Sequence, residues 1–222
     1  MCGRFVQKSD LRKVAPLFRV DEIESDVQPS YNIAPRQPVA VIMEEGKRKI
    51  VTMKWGLIPH WAKDATIADR LINARSETVE EKPSFRDSFK KRRCLIIADG
   101  FYEWQGSGLS KKPFFIFMKD ERPFGMAGLF DYWTNPEGEK AITCTIVTTE
   151  ANEIMKPIHH RMPVILAPDD YDLWLNPAET EATKIKALMK PYNAELLMAR
   201  EVGLLVNNPR NNSEECIAPM IQ

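Results

Sequence analysis

Short apolar stretches with the composition of β-strands recur through this chain, and they limit its fold more than any other feature. Charged or turn-forming residues separate them. The longest uninterrupted ones, such as residues 94–98, fall far short of the ~18 apolar residues that cross a bilayer. The sequence therefore predicts a chain that is mostly β-sheet and that spans no membrane. The predicted strands lie at residues 39–43, 50–53, 93–98, 101–104, 113–118, 125–130, 141–148 and 164–166.

Residues that favour turns or helices lie between these strands. A Glu-Gly-Lys turn at residues 45–47 predicts a hairpin between the first two. A helix is predicted at residues 10–20, with Ser9 as its cap and with Pro16 shortening or kinking it. Further helices are predicted at residues 83–91, 151–155, 169–175 and 178–189.

The order of these elements predicts the fold class. The helices do not alternate regularly with the strands, and no repeat, low-complexity tract or Gly/Ser linker divides the chain. We therefore expect one α+β domain over residues 1–222, built on a mainly antiparallel, barrel-like β-sheet with peripheral helices.

Charge and cysteine content exclude several classes of protein. Lys plus Arg and Asp plus Glu both number 31, so a generally basic nucleic-acid coat is excluded while local basic patches are not. The four cysteines form no C-x-x-C pair, which disfavours a disulfide framework and a structural zinc site. Charged residues follow Met1 closely, so no secretory signal is predicted and a cytoplasmic location is expected.

Cys2 is the first candidate for chemistry. A small residue after the initiator generally permits removal of Met1, which would leave Cys2 with a free α-amine next to its thiol. That amine titrates near ~7.7–8.0, against ~10.4 for lysine, so an appreciable share is nucleophilic at neutral pH. The amine can form an imine with an aldehyde, and the thiol can then close a thiazolidine ring. Alternatively, Cys2 is an ordinary cysteine near a frayed chain end.

Two further clusters contain candidate acid/base groups. His159 and His160 are adjacent, and imidazole has an unperturbed pKa of ~6.5; a surface or core role fits them equally. Successive strand residues point to opposite faces, so the pair is not expected to bind one metal ion. Glu103 lies among aromatic residues, where desolvation should raise its pKa, unless it is an exposed residue on an alternating strand.

Other stretches have the mixed composition of a binding surface. Residues 31–36 form a rigid loop that contains Pro35. Residues 73–78 place Asn73, Arg75 and Glu77 on one face if they are extended. Asn and Arg side chains can hold a sugar or a phosphate. Trp55 and Trp61 could stack on bases, although a place in the core is an equal alternative for both.

Six motifs, taken together and in this order, resemble the SRAP family, the SOS response-associated peptidases or abasic-site processing proteins. The resemblance covers nearly the whole chain. The motifs are Met-Cys-Gly-Arg-Phe at 1–5, Tyr-Asn-Ile-Ala-Pro at 31–35, Trp-Gly-Leu-Ile-Pro at 55–59, Asn-Ala-Arg-Ser-Glu-Thr at 73–78, Ala-Asp-Gly-Phe-Tyr-Glu-Trp at 98–104 and Ile-His-His-Arg-Met-Pro at 158–163.

The resemblance implies an enzyme that senses abasic sites in single-stranded DNA and bonds covalently to them. It implies that Met1 is removed, that the α-amine of Cys2 attacks the sugar C1′ to give a Schiff base, and that the thiol closes the thiazolidine. It further implies lyase-type chemistry and self-processing cysteine peptidase activity, with no cofactor. Single-stranded DNA with abasic sites is the expected partner, and the protein is expected to be a monomer.

Residue roles also follow from the resemblance. Glu103 is implied as the acid/base that assists sugar-ring opening, and Asn73 as the residue that orients the open sugar's hydroxyl. His159 is implied in imine chemistry and crosslink reversal, with His160 a neighbour only. The implied DNA contacts are Arg4, Arg75, Arg161, Trp55 and Pro35. Residues 62–70 have no clear family signature, so contacts to DNA junctions or flanking duplex stay unassigned.

Two other functions remain open at this point. Cys2 could serve as the N-terminal nucleophile of a thiol hydrolase that cleaves amides, or its own bond to Met1, with its amine as base. The chain could instead bind single-stranded DNA without a covalent bond, through arginine and tryptophan alone.

Overall fold

The fold is seen in a computed structural model, which describes residues 2–108 and 111–220. Its strands are β1 (Phe5–Gln7), β2 (Glu22–Ile23), β3 (Ser30–Ile33), β4 (Pro38–Glu45), β5 (Lys47–Trp55), β6 (Asn73–Arg75), β7 (Arg93–Ala98), β8 (Gly100–Gln105), β9 (Lys112–Met118), β10 (Phe124–Thr134), β11 (Lys140–Glu150), β12 (Arg161–Pro163), β13 (Ile165–Leu166) and β14 (Leu197–Glu201). Its helices are α1 (Leu11–Val14), α2 (Arg86–Lys91), α3 (Tyr171–Leu175) and α4 (Ala182–Leu188). Single 3₁₀ turns follow α1 and precede α3.

Five strands close into a barrel. Their order is β11, β10, β7, β4 and β5, all antiparallel to their neighbours, and β5 then pairs with β11 in parallel. The closing contacts join Lys54 to Thr143 and Trp55 to Cys144. Closure removes the exposed strand edges that an open sheet would present. The short strands β2, β6, β12 and β13 add to the barrel strands.

A second, five-stranded antiparallel sheet lies against the barrel, in the order β14, β9, β8, β1 and β3. Gln7 joins the two. Its side chain is buried, and its Nε2 donates to the carbonyl oxygens of Ala40 (2.9 Å) and Ile97 (2.8 Å). Its Oε1 accepts from the N–H of Ala40 at 2.8 Å. Because all of these groups are satisfied, Gln7 fixes β1, and with it the start of the chain.

Both faces of the barrel strands are covered. Alternate residues, such as Ile96 and Met126, pack inwards with residues of the second sheet, including Phe5 and Phe101. The residues that alternate with them along the strands face outwards and pack with the helices, where Trp174 is fully buried. This double burial explains the continuous apolar runs in the sequence. The outer face of the second sheet packs on the chain's last described segment.

The structure confirms the predicted α+β class, the barrel-like antiparallel sheet and the predicted strands. The hairpin turns at Gly46, which has a φ of 77° that glycine tolerates well. No helix in the described ranges has the length and apolar character needed to cross a membrane.

Three helix predictions need correction. Residues 151–155 form hydrogen-bonded turns that are not a helix. Asp10 caps α1 by accepting from the Arg12 N–H, because the Ser9 hydroxyl is occupied by Asp99. The helix predicted at 178–189 begins only at Ala182, because the side chains of Asn176 and Glu179 bond to the backbone in the preceding turns.

Candidate active site

Cys2 is anchored inside the protein and not frayed. The carbonyl of Arg4 accepts a hydrogen bond from Tyr102 N–H (2.9 Å), so the chain start continues the antiparallel pairing of β1 with the first half of β8. The Cys2 side chain is 0% exposed, and its Sγ lies 3.9 Å from the Arg4 carbonyl oxygen. The alternative of a cysteine at a loose chain end therefore does not fit the structure.

Asn73 holds the backbone of Cys2. It lies on β6, which pairs in parallel with β11, and its Nδ2 donates to the Cys2 carbonyl oxygen at 2.8 Å. Its Oδ1 is buried and has no hydrogen-bond partner among residues 2–108 and 111–220. The side chain therefore keeps one acceptor for a ligand's hydroxyl or amine while its donor fixes Cys2.

Glu103 is the buried carboxyl of the site. It is only 3% exposed, which rules out the alternative of an exposed glutamate on an alternating strand. Burial raises the pKa of Glu103, as the sequence predicted. Burial also raises the pKa of the Cys2 thiol, and the nearby negative charge of Glu103 raises it further. Glu103 therefore lies close enough to Cys2 to influence the protonation of its thiol.

The two histidines have different surroundings. Their rings stack with centroids 4.4 Å apart, but His159 is half-buried while His160 is exposed. The backbone N–H of His159 donates to the Met155 carbonyl at 2.8 Å. The ring Nδ1 of His159 accepts from the backbone N–H of Arg161 at 3.0 Å. Burial lowers the pKa of His159, so its ring is neutral near pH 7. A neutral imidazole can both accept and donate a proton.

The three candidate arginines also differ. Arg75 is exposed, so its guanidinium can reach a phosphate. Arg4 uses its Nη1 to donate to Asn32 Oδ1 (2.8 Å) and to the Val206 carbonyl (2.7 Å). The largely buried Arg161 donates to the Glu77 carboxylate. Phosphate contacts from Arg4 and Arg161 would therefore compete with bonds inside the protein.

Trp55 is a core residue. Its side chain is 0% exposed, its Nε1 donates to the Ile72 carbonyl at 2.9 Å, and its ring meets Phe5 edge-on at 5.1 Å. The predicted contact of Trp55 with DNA is not supported, because the ring has no exposed face. Trp55 instead supports Asn73, the residue after Ile72. Pro35 is half-buried in its loop, and its DNA contact stays a prediction.

Sequence reasoning left one choice open and missed one feature. Of the two tryptophans considered for stacking, Trp61 is the exposed one, at 49%. The ion pair between Glu77 and Arg161 joins residues 84 positions apart, a distance at which no local pattern could signal it. The third histidine, His60, pairs with the buried Asp131. Within the described residues, no group of three His, Cys, Asp or Glu side chains could hold a metal ion.

The fold and this site define a class of protein, an α+β barrel whose second residue is a cysteine held beside a buried carboxyl group. The family model described as SOS response associated peptidase (SRAP) matches residues 1–209. The chain therefore belongs to the SRAP family, which confirms the resemblance.

Relatives and solved structures are similar over most of their length. The Bacillus subtilis abasic site processing protein YoqW is 44% identical over 221 residues, which is 98% of this chain and 99% of that protein. The Gallus gallus abasic site processing protein HMCES is 35% identical over 89% of this chain and 68% of its own length. A crystal structure of a Bacteroides thetaiotaomicron protein has a TM-score of 0.90 at 29% identity, over 99% of this chain and 100% of that one.

Proposed function

We propose that this protein, after removal of Met1, captures abasic sites in single-stranded DNA as a covalent crosslink through Cys2. Relatives that are named abasic site processing proteins support the DNA lesion as substrate. One structural observation supports the site: Asn73 bonds to the Cys2 carbonyl at 2.8 Å and so holds the chain start beside the buried Glu103.

The proposed reaction begins with the amine. An abasic sugar exists partly as an open-chain aldehyde, and the neutral α-amine of Cys2 adds to its C1′ to form a carbinolamine. Loss of one water gives the imine. The thiol then adds across the C=N bond, so that a C–S bond forms and the nitrogen takes up a proton. The thiazolidine therefore contains protein and DNA less one water.

The protonation states favour this order over a thiol hydrolase. A cysteine hydrolase attacks with a thiolate, but burial and the charge of Glu103 raise the pKa of Cys2, so that the thiol keeps its proton near pH 7. A carboxyl group with a raised pKa can protonate the sugar ring oxygen as the ring opens, and can later accept the thiol's proton. Glu103 is therefore the proposed acid/base.

The remaining residues have supporting roles in the proposal. The free Oδ1 of Asn73 accepts a hydrogen bond from the open sugar's hydroxyl. The neutral His159 assists imine chemistry and reversal of the crosslink. The exposed Arg75 contacts a phosphate. Strand-cleaving lyase activity would branch from the same imine, and peptidase activity would serve to remove Met1.

Incubation with single-stranded DNA that carries one abasic site tests the proposal. The wild-type protein should give a heat-stable adduct on a denaturing gel, and Cys2→Ala should give none. Cys2→Ser keeps the amine, so borohydride should still trap its imine, but no heat-stable product should form. Cys216→Ala removes another fully buried thiol and is the matched control, with an expected wild-type yield. An equal adduct yield from wild type and Cys2→Ala would refute the proposal.

A further inference from the structure

The His159 ring meets two backbone groups of a single residue. The N–H of Arg161 lies 3.0 Å from Nδ1 of His159, and the carbonyl oxygen of Arg161 lies 3.2 Å from the same nitrogen. A backbone N–H is a permanent donor, so a neutral ring accepts it at Nδ1 and carries its own proton on Nε2. When the ring is protonated, Nδ1–H can donate to the carbonyl instead. Arg161 thus offers Nδ1 a partner in each protonation state.

The carboxylate of Glu77 fixes the Arg161 side chain. Its Nη1 is 2.5 Å from Glu77 Oε1 and its Nη2 is 3.0 Å from Glu77 Oε2, a two-point contact that restricts the guanidinium plane. Nη2 also donates to the Thr148 carbonyl at 2.6 Å. The Arg161 hydrogen bonds lower the pKa of Glu77, so its carboxylate is ionised at neutral pH. The Arg161 side chain is only 11% exposed.

Arg161 is also the first residue of β12, where it pairs with Glu150 of β11. His159 lies two positions earlier, outside the strand, so the place of its ring depends on where the backbone of Arg161 is held. We propose that Glu77 is a positioning residue for His159: its carboxylate fixes Arg161, and the backbone of Arg161 fixes the orientation and tautomer of the imidazole. This inference rests on the proposed function, in which His159 assists reversal of the crosslink.

The test compares Glu77→Gln with a matched control. Glu80→Gln removes a carboxylate three positions along the chain, whose ion pair with Lys186 (3.0 Å) does not touch the site. Reversal of purified crosslink should slow about 10-fold in Glu77→Gln, since small misplacements of a reacting group can cost up to about 100-fold. Glu80→Gln should keep the wild-type rate. Melting temperatures of both variants show whether either loses stability.

A second variant separates positioning from a general loss of structure. In a His159→Ala background, Glu77→Gln should slow reversal no further, because its effect passes through the ring. An equal slowing in both backgrounds would mean that Glu77 acts elsewhere, and would overturn the inference. Reversal at the wild-type rate in Glu77→Gln would overturn it as well.

The ring itself gives a readout that needs no DNA. Nitrogen-15 NMR of the wild-type protein should show His159 as a single tautomer with its proton on Nε2, and Glu77→Gln should show a mixture of tautomers. An unchanged single tautomer in Glu77→Gln would contradict the inference. The proposed function fails by different results, namely no adduct from wild type, or unchanged reversal in His159→Ala alone.

Discussion

Strand β8 begins next to one buried carboxylate, Asp99, and carries a second, Glu103, near its far end. The two are buried to the same degree, 4% and 3% exposed. Asp99 accepts hydrogen bonds from the backbone N–H groups of Lys8 (2.6 Å) and Ser9 (3.1 Å), and from the Ser9 hydroxyl. At Glu103, burial dominates and raises the pKa of the carboxyl group.

The comparison shows that burial alone does not identify a reactive carboxyl group. Donors around Asp99 replace the hydration that its charge loses, and in return the carboxylate ties the segment after β1 to the start of β8. At Glu103, burial outweighs the influences that lower its pKa, so the raised pKa suits this carboxyl group to hold and release a proton beside Cys2. One end of β8 stabilises the fold, while the other is proposed to carry chemistry.

Replacing Glu103 should have the largest effect on activity. We expect Glu103→Gln to slow capture of abasic DNA about 100-fold, the lower end of the range for losing a general acid/base. The amide keeps the size of the side chain but cannot exchange a proton. Single-turnover crosslinking measures the rate. A rate within a factor of two of wild type would remove the distinction between the two ends of β8.

Replacing Asp99 should instead lower stability. Asp99→Ala leaves the Lys8 and Ser9 donors without their acceptor, and each unpaired buried donor costs about 1–3 kcal/mol. We expect the free energy of unfolding to fall by about 3 kcal/mol in total. Denaturant unfolding measures the loss, while the crosslinking rate of the folded protein should not change. A stable but inactive Asp99→Ala would contradict the assignment.

The pH dependence of stability gives a third, smaller test. Because the pKa of Glu103 is raised in the folded state, that state binds more protons than the unfolded chain as pH rises above the ordinary carboxyl pKa. Glu103 therefore costs stability at neutral pH and none in acid. Glu103→Gln should be more stable than wild type at pH 7, with the difference vanishing below pH ~4.

Unfolding of both proteins across this range measures the difference. A difference that is independent of pH, or that has the opposite sign at neutral pH, would show that burial is not the main influence on Glu103.

The smallest expected effect concerns two exposed cations, one near the candidate site and one near Asp99. Arg75 lies on β6 with Asn73, and the backbone of Lys8 bonds to Asp99. Both side chains are exposed. If Arg75 contacts one phosphate, Arg75→Ala should reduce the salt dependence of single-stranded DNA binding by about 0.7 in log–log slope. Lys8→Ala should leave the slope unchanged. Fluorescence anisotropy over a salt series measures both, and equal slopes for the two variants would contradict the placement of the DNA.

The sequence predicted most strands because their apolar runs are local, and both faces of the barrel strands are covered. It could not predict how the barrel closes, because the parallel pairing of Trp55 with Cys144 joins distant segments without a shared pattern. The prediction of a helix at 151–155 was wrong, because this segment forms turns in which the carbonyls of Asn152 and Met155 accept the hydrogen bonds. Local propensity did not determine the outcome there.

Prediction of the site from the sequence has the same limit. Cys2 and Glu103 could be singled out from their chemistry and from aromatic neighbours, respectively. The bond between Asn73 and Cys2 joins positions 71 apart and is a product of tertiary structure. Trp55 and Trp61 lie in one motif region, yet one is 0% and the other 49% exposed. Residue type alone could not distinguish them, because tryptophan suits both a core and a stacking surface.

Peptide-level mass spectrometry of the wild-type protein after reaction with abasic single-stranded DNA tests the central claim most directly. The N-terminal peptide should lack Met1 and carry the sugar remnant on Cys2, less one water. A crosslink that maps to a lysine, or an adduct whose peptide still begins with Met1, would contradict it.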